Sequence, residues 1–247
     1  MGDSVVPRGG RVAAPTITTV LRRAGIAPGA VRTAFSRLVA DGWIDREMDG
    51  RRAFYRLSEQ GRAPFAGAAA VIYAAPEDAP QHERKALAVL PPGAAAPEGA
   101  TLLRDGTVLF DRSQTAIANA LRELGCIALD LADWNPPQWA LEAEPFASLD
   151  KDCAAVRHRY DVVVPRDDLE ALVQRTLLIH DWRRVALRAE NVVFPGEDAV
   201  ERCRRFVARR YRKWLDPSEN WLDANAPELV PSEQASSRLK RRFVLQS

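Results

Sequence analysis

Six residues near the N-terminus have the side-chain types and spacing for contact with nucleic acid. Arg32, Thr33, Ser36 and Arg37 share one side of a predicted helix, Gly29 to Asp41, whose other side carries Val31, Ala34, Phe35 and Leu38 at i, i+3, i+4 and i+7. An arginine on such a helix can form paired hydrogen bonds to guanine in a major groove, and serine or threonine can reach phosphates or bases. The same pattern also fits an ordinary solvated face, because exposed arginine is common. The next segment narrows the reading. Gly42 ends the helix, Trp43 to Met48 reads as a strand, Asp49-Gly50 signals a tight turn, and Arg51 to Leu57 returns as the partner strand. Arg51 and Arg52 then stand beside the hairpin tip, where they can straddle phosphates or enter a minor groove, with Tyr55 further along the strand.

The elements that must position these side chains are a short helix from Ile17, a second helix opening at Pro28, and the Arg-rich hairpin. That order is the layout of a winged helix-turn-helix, with double-stranded DNA as the expected partner. Such a domain closes its core with three helices, and the first should precede Val5 to Gly10, a stretch that resembles the loop after that helix in a known family; only Met1 to Ser4 stand before it. The expectation is a domain without its first helix, in which Val20, Leu21, Phe35 and Leu38 lack a packing partner.

Composition bounds the rest. A chain of 247 residues, 47% hydrophobic and 28% charged, is long enough for two or three small domains with ordinary cores. It contains no apolar run long enough to span a bilayer and no signal-peptide pattern, so a cytoplasmic location without membrane contact is expected. Cys126, Cys153 and Cys203 lack the close pairing of a zinc site and read as small buried hydrophobes. Net charge is +2, unevenly spread: residues 1–62 carry +5, residues 63–155 carry −7, and residues 156–247 carry +4. A basic head beside an acidic middle points to phosphate contact through the head.

Four regions follow along the chain: a winged-helix DNA-binding domain at 1–62, an Ala-rich connector at 63–80, a central domain at 81–150, and a helical domain with a basic tail at 151–247. Ser58 to Arg62 closes the first region, Pro64 to Ala75 reads as a helical connector, and Pro76 to Pro80 ends it. In the middle, a strand at Ala86 to Leu90 leads into a Pro- and Ala-rich loop. A hairpin then pairs Thr101–Leu103 with Thr107–Phe110 around Asp105-Gly106. Ser113 is read as the cap of a helix with Ile117, Ala120, Leu121 and Leu124 on its apolar side, stopped by Gly125 before a strand from Cys126 to Leu131. Strands with one intervening helix suggest a ferredoxin-like sheet, giving an α+β fold class for the whole chain.

The last third reads as helical, with Leu169, Leu172, Val173, Thr176 and Leu177 on one helix and Val200, Cys203, Phe206, Val207, Tyr211 and Trp214 on a longer one from Asp198 to Leu215. The longer helix holds seven cations between Arg202 and Lys213, which can serve ligand phosphates, flank DNA or simply face solvent. Arg238 to Arg242 reads as a disordered basic tail. No Ser-His-Asp order, nucleotide-binding Gly-rich loop or HExxH occurs, so the residues give no reason to expect an enzyme, and no cofactor is indicated.

Two stretches also resemble a known family. AVRTAFSRLVADGWIDREMDGRRAFYRLSEQGR, Ala30 to Arg62, is similar to the N-terminal domain of PaaX-type regulators, the repressors of bacterial phenylacetic acid catabolism. RTLLIHDWRR and FPGEDAVERCRRFVARRYRKWLDPSENWL, within Arg175 to Pro227, resemble the helical C-terminal domain of that family. The resemblance implies a homodimeric repressor released from its operator by an aryl-acetyl coenzyme A thioester, typically phenylacetyl-CoA. It also implies an effector pocket near His180 to Arg184, where Trp182 can stack on a ring and Arg183 or Arg184 can bind phosphate. The alternative is that Trp182 fills the core and His180 bonds within a helix end. The middle departs from the family pattern, since a loop stands where a helix is usual between the first strand and the hairpin. The family's central domain is similar to Cas2-like proteins, some of them metal-dependent nucleases, and Asp111, Asp130 and Asp133 are the candidates for that chemistry. A third reading is an effector-binding protein that has lost DNA binding.

Overall fold

The computed structural model describes residues 2–76, 85–104, 106–131, 137–190, 192–193 and 199–244. Two antiparallel sheets and several helices make an α+β fold. The first sheet has the order β1-β3-β2, with β1 at Arg11–Ala13, β2 at Ile44–Asp49 and β3 at Arg52–Leu57. Between β1 and β2 run helix α1, Ala14–Arg23, and helix α2, Pro28–Ala40. Gly25 makes the turn between them with φ +86°, a conformation that a side chain would strain, and the Ile26 N–H closes α1 on the Leu21 carbonyl at 2.9 Å. Pro28 opens α2, where its missing N–H costs nothing.

Helix α2 buries a narrower face than its periodicity suggests. Val31 and Phe35 pack against Ile44 and Leu57, with Val39 partly buried beside them. Ala34 and Leu38, expected inside, are exposed, Leu38 at 37%. The Val31–Phe35 stripe is packed, whereas Leu38 borders an open apolar cleft. The hairpin also differs by one position. Asp49 pairs with Arg52, so Gly50 and Arg51 form the two-residue turn and the return strand begins at Arg52 rather than Arg51. Gly50 adopts φ +58°, the left-handed conformation such a turn demands.

The segment expected to close the first region instead opens a helix. Ser58 caps α3, Glu59–Ile72, by accepting the Gly61 N–H at 3.0 Å. The stretch after Pro76, expected to end the connector, lies outside the described residues.

The second sheet has the order β5-β6-β4-β7, from β4 at Lys85–Val89, β5 at Thr101–Arg104, β6 at Thr107–Asp111 and β7 at Ile127–Asp130. Residues 90–100 form no helix, as their prolines predict; Asp105, in the hairpin turn, lies outside the described residues. Helix α4, Thr115–Glu123, sets Ile117 and Leu121 against Ala86, Ala88, Val108 and Phe110. Ser113 does not cap it. Gln114 stands at the cap position, while Ser113 donates its hydroxyl and its N–H to Asp111 at 2.7 and 2.9 Å. On the opposite face, Leu103 and Leu109 meet Ala140 of helix α5, Gln138–Leu141, and Phe146 of helix α6, Glu144–Tyr160.

Helices α6, α7 at Asp168–Ala189 and α8 at Ala199–Asn225 enclose the largest core, with Trp182 and Trp214 fully buried. Asp198, the expected start of α8, lies outside the described residues. Cys153 and Cys203 are buried inside this core, as expected of small hydrophobes, and Cys126 is partly buried. The expected disordered tail is instead ordered: α9 spans Ser232–Lys240, and Arg242 beyond it donates to Asp3 and Tyr211 at 2.7 and 2.8 Å. Among the described residues no helix is long and apolar enough to cross a membrane.

Candidate nucleic-acid interface

Helix α2 and the β2–β3 hairpin place the basic residues on the surface of the first sheet's unit. Arg32, Thr33, Ser36 and Arg37 are all exposed. Thr33 donates its hydroxyl to the Gly29 carbonyl at 3.1 Å, so its oxygen remains available only as an acceptor. Arg51 and Arg52 are exposed at the hairpin tip, and neither pairs with a carboxylate among the described residues. Tyr55 is half-buried, its ring 4.7 Å from that of Phe35, so it ties the hairpin to α2.

The carboxylates of β2 would oppose a polyanion if left bare, and neighbouring strands neutralise them. Arg56 pairs with Asp45 at 3.3 Å. Arg11 of β1 reaches Glu47 and Asp49, each at 3.4 Å, with its guanidinium 3.5 Å from the centre of the Phe54 ring. Sequence reasoning missed Arg11, because a three-residue strand has no readable period.

The unit is anchored to the helical body by a buried ionic cluster, also missed in the sequence because its members lie up to 239 residues apart. Arg175 of α7 donates to Asp3 at 3.1 Å and to Glu219 of α8 at 2.7 Å, and Arg8 donates to Glu219 at 3.1 Å and to Asp223. Arg242 and the Tyr73 hydroxyl complete the shell of Asp3 at 2.7 and 3.0 Å. Three arginines thus balance three carboxylates, the condition under which charges tolerate burial. Burial pushes the Asp3 carboxyl up, but Arg175, Arg242 and the tyrosine hydroxyls outweigh it and hold the group below its ordinary value. Tyr73 is pushed well above its ordinary value by burial and by the Asp3 charge.

A second anchor caps α1 from outside. Ala13 at its N-terminus has no side chain that can cap, and Glu228 instead accepts the Ala13 N–H at 2.9 Å and the Thr16 hydroxyl at 2.8 Å. Glu228→Ala is expected to lower stability by about 1 kcal/mol, the usual cost of a lost cap, measured by urea unfolding.

Between the basic unit and the helical body lies an apolar cleft of about 540 Å³, whose walls include Val20, Leu21, Phe35 and Leu38 of the unit and Leu172 and Arg183 of α7. These are the side chains expected to lack a partner. The expectation fails for three of them: Val20 packs with Ile17 on Leu172, Leu222 and Leu229, Phe35 is buried against Ile44 and Leu57, Leu21 is partly buried beside it, and Leu38 alone stays exposed.

The three residues linked to an effector by resemblance separate. Arg183 is exposed on the wall of this cleft. Trp182 is fully buried, donates its indole N–H to the Ile72 carbonyl at 2.9 Å and packs under the Arg204 guanidinium, so it fills the core and offers no ring to a ligand. Arg184 lines a different, smaller recess with Asp152, Arg159 and Asp181. His180 is exposed within α7 rather than at its end. Of the acidic candidates, Asp111 and Asp130 flank the start of β4, where Asp111 accepts from Ser113 and Asp130 pairs with Arg112 at 2.5 Å. Asp133 lies outside the described residues, and among the described residues no acidic, histidine or cysteine cluster suits a metal.

Residues 1–61 match the family model described as PaaX-like protein. The chain carries a PaaX-like domain. That domain comprises β1 to β3, α1, α2 and the start of α3, the unit that displays the six exposed basic and hydroxyl residues. The chain is also 38% identical over 78 residues to the Transcriptional repressor PaaX of Escherichia coli (strain K12), an alignment covering 32% of this chain and 25% of that protein. The chain thus spans about a quarter of the length of that relative. A solved structure, an uncharacterized protein from Mycobacterium tuberculosis, aligns over 83% of this chain and 89% of its own at 15% identity and a TM-score of 0.49.

Proposed function

We propose that the chain is a DNA-binding transcriptional regulator of the repressor type, acting on an aromatic-acid operon and released from DNA by an aryl-acetyl-CoA thioester. The observation that carries the reading is the exposed face of α2, with Arg32, Thr33, Ser36 and Arg37, followed in a PaaX-like domain by a hairpin with Arg51 and Arg52 at its tip, paired with no carboxylate among the described residues. In this reading the domain is a winged helix-turn-helix, α2 enters the major groove and the hairpin grips the flanking backbone. Tyr55 contributes by fixing the hairpin against α2. The strand order β5-β6-β4-β7 supports a ferredoxin-like middle, and α6 to α9 form a helical domain behind it.

Arg183 supports the effector part of the proposal, because it stands on a cleft shared by the basic unit and the helical body, where a bound ligand would alter how the two pack. Gel shift on the gene's upstream region with and without phenylacetyl-CoA tests the reading. Specific binding reversed by the thioester is expected, and Arg183→Ala should raise the thioester concentration needed. Binding indifferent to the thioester removes the effector, and absence of specific binding removes the regulator.

A homodimer is part of the same reading. Strand β7 is an edge strand, and Ile127 and Leu129 on it are 71% and 63% exposed beside exposed Val89. An apolar edge of this kind invites pairing with another copy. Ile127→Lys with Leu129→Lys is expected to convert a dimer into a monomer by light scattering, and an unchanged mass would place the contact elsewhere.

A further inference from the structure

Strand β2 sorts its charges by alternation. Residues directly opposite each other across an antiparallel pair share a face, so Asp45, Glu47 and Asp49 stand with Arg56, Phe54 and Arg52 on one face, and Ile44, Arg46 and Met48 stand with Leu57, Tyr55 and Ala53 on the other. The second face is the one turned to α2: Ile44 and Leu57 pack on Val31 and Phe35, and the Tyr55 ring lies 4.7 Å from that of Phe35. All three carboxylates of the strand therefore fall on the far face, where Arg56 and Arg11 hold them. The face toward α2 keeps one charge, Arg46.

Arg46 is exposed, and among the described residues its guanidinium pairs with no carboxylate and contacts the Met48 sulfur, a weak acceptor, at 3.6 Å. Exposed arginines of the helical body are instead engaged, Arg159 by Asp181 and Arg188 by Asp152, each at 2.6 Å, and Arg166 by Glu170 at 2.9 Å. Position along the strand points the same way. At roughly 3.3 Å per residue, Arg46 stands about 7 Å and Met48 about 13 Å beyond the Ile44 contact with α2, in line toward the Gly50-Arg51 turn. Core, cation, apolar side chain and basic tip thus succeed one another along the inner angle between α2 and the hairpin. A duplex that admits α2 to its major groove presents to this angle the sugar-phosphate strand bordering that groove, with charged oxygens for the guanidinium and an apolar sugar face for Met48, which is 55% exposed.

We propose that Arg46 is a further DNA-contacting residue, binding a backbone phosphate between the groove that holds α2 and the hairpin tip, with Met48 packed on the adjoining deoxyribose. This contact rests on the DNA-binding reading and adds an orientation to it: the Arg46 face of the hairpin meets the duplex, the Glu47 face turns away, and Arg51 and Arg52 act from the tip, where the two faces end.

Fluorescence anisotropy with the full chain, on a duplex from its own upstream region and one of scrambled sequence across a salt series, tests it. Arg46→Gln should weaken both duplexes by about tenfold at moderate salt, the usual loss for one charged hydrogen bond, and make the slope of log affinity against log salt shallower by about 0.9. Arg46→Lys should restore the slope. Met48→Glu, which sets a carboxylate against the backbone, should weaken both by at least about tenfold. Arg62→Ala, the same loss of charge on α3, where Arg62 pairs with Glu59 at 3.7 Å, should leave the slope unchanged. All three side chains are exposed, so melting should stay at the wild-type temperature. A wild-type slope for Arg46→Gln, beside a loss of affinity in the Arg51, Arg52 double variant, overturns the contact and leaves the DNA-binding reading standing. An equal change of slope in Arg62→Ala also overturns it, because the effect is then one of net charge. Met48→Glu at wild-type affinity overturns the orientation, and failure of the wild type to bind either duplex overturns both the contact and the reading beneath it.

Discussion

Replacing Arg51 and Arg52 together with alanine is expected to weaken binding to duplex DNA by about a hundredfold at moderate salt, roughly tenfold for each charged hydrogen bond lost. Both side chains are exposed at the tip of a two-residue turn and neither is neutralised by a carboxylate among the described residues, whereas Asp45, Glu47 and Asp49 beside them are paired with Arg56 and Arg11. Their contribution is to phosphates, so the loss should fall equally on operator and scrambled duplexes. The slope of log affinity against log salt should become shallower by about 1.8, near 0.9 for each phosphate contact removed. Arg37→Ala on α2 should behave differently. If that side chain reads a base, the variant loses discrimination at one position, worth about 1–3 kcal/mol, with little change in slope. A double hairpin variant with wild-type affinity at every salt concentration would show that the hairpin does not touch DNA.

The largest stability effect is expected at Asp3. Asp3→Ala removes the shared partner of Arg175 and Arg242, and Arg175 is fully buried. Breaking a buried ion pair from one side leaves the other charge uncompensated and costs about 3–5 kcal/mol. In a chain of this size that corresponds to a fall in Tm on the order of 10 °C. The effect carries a pH signature. Because the folded protein holds the Asp3 carboxyl below its unfolded value, the stabilisation is fully present above the ordinary aspartate range near pH ~3.9 and disappears as pH falls through the depressed folded value. The Tm difference between the wild type and Asp3→Asn should therefore hold steady at neutral pH and shrink only in strong acid. A difference that already declines near neutrality would mean that another group controls the cluster. Functionally, the cluster matters because it joins the chain just before β1 to α7 and α8, and so fixes how the PaaX-like domain sits on the helical body.

What the sequence revealed and concealed divides along physical lines. The hairpin and α2 were legible because turn glycines, a helix-opening proline and a repeating apolar stripe are local signals, and all lie within thirty residues. The second sheet's strands were legible for the same reason. Helix α6 went unread although Phe146, Leu149, Cys153, Val156 and Tyr160 recur at spacings of three and four and are all buried. The charged and alanine residues between them mask the stripe. Leu38 carries the right type at the right spacing and still lies exposed, because periodicity says which side is apolar and not whether anything covers it. Arg242 looked like part of a loose basic tail, and only contact with Asp3, far away in sequence, reveals it as a structural cation. Trp182 shows the reverse case: the family resemblance implies a ligand platform there, but the side chain lies on the buried side of α7. Arg183, one position on, reaches the cleft.

The proposed regulator must recognise a particular DNA sequence. Fluorescence anisotropy with the full chain, comparing a labelled duplex from its own upstream region with a scrambled duplex of equal length across a salt series, measures that directly. Binding to the upstream duplex is expected to be tighter by at least about a thousandfold at physiological salt, with affinity for both falling as salt rises. Equal affinity for the two duplexes, or no binding to either, would contradict it.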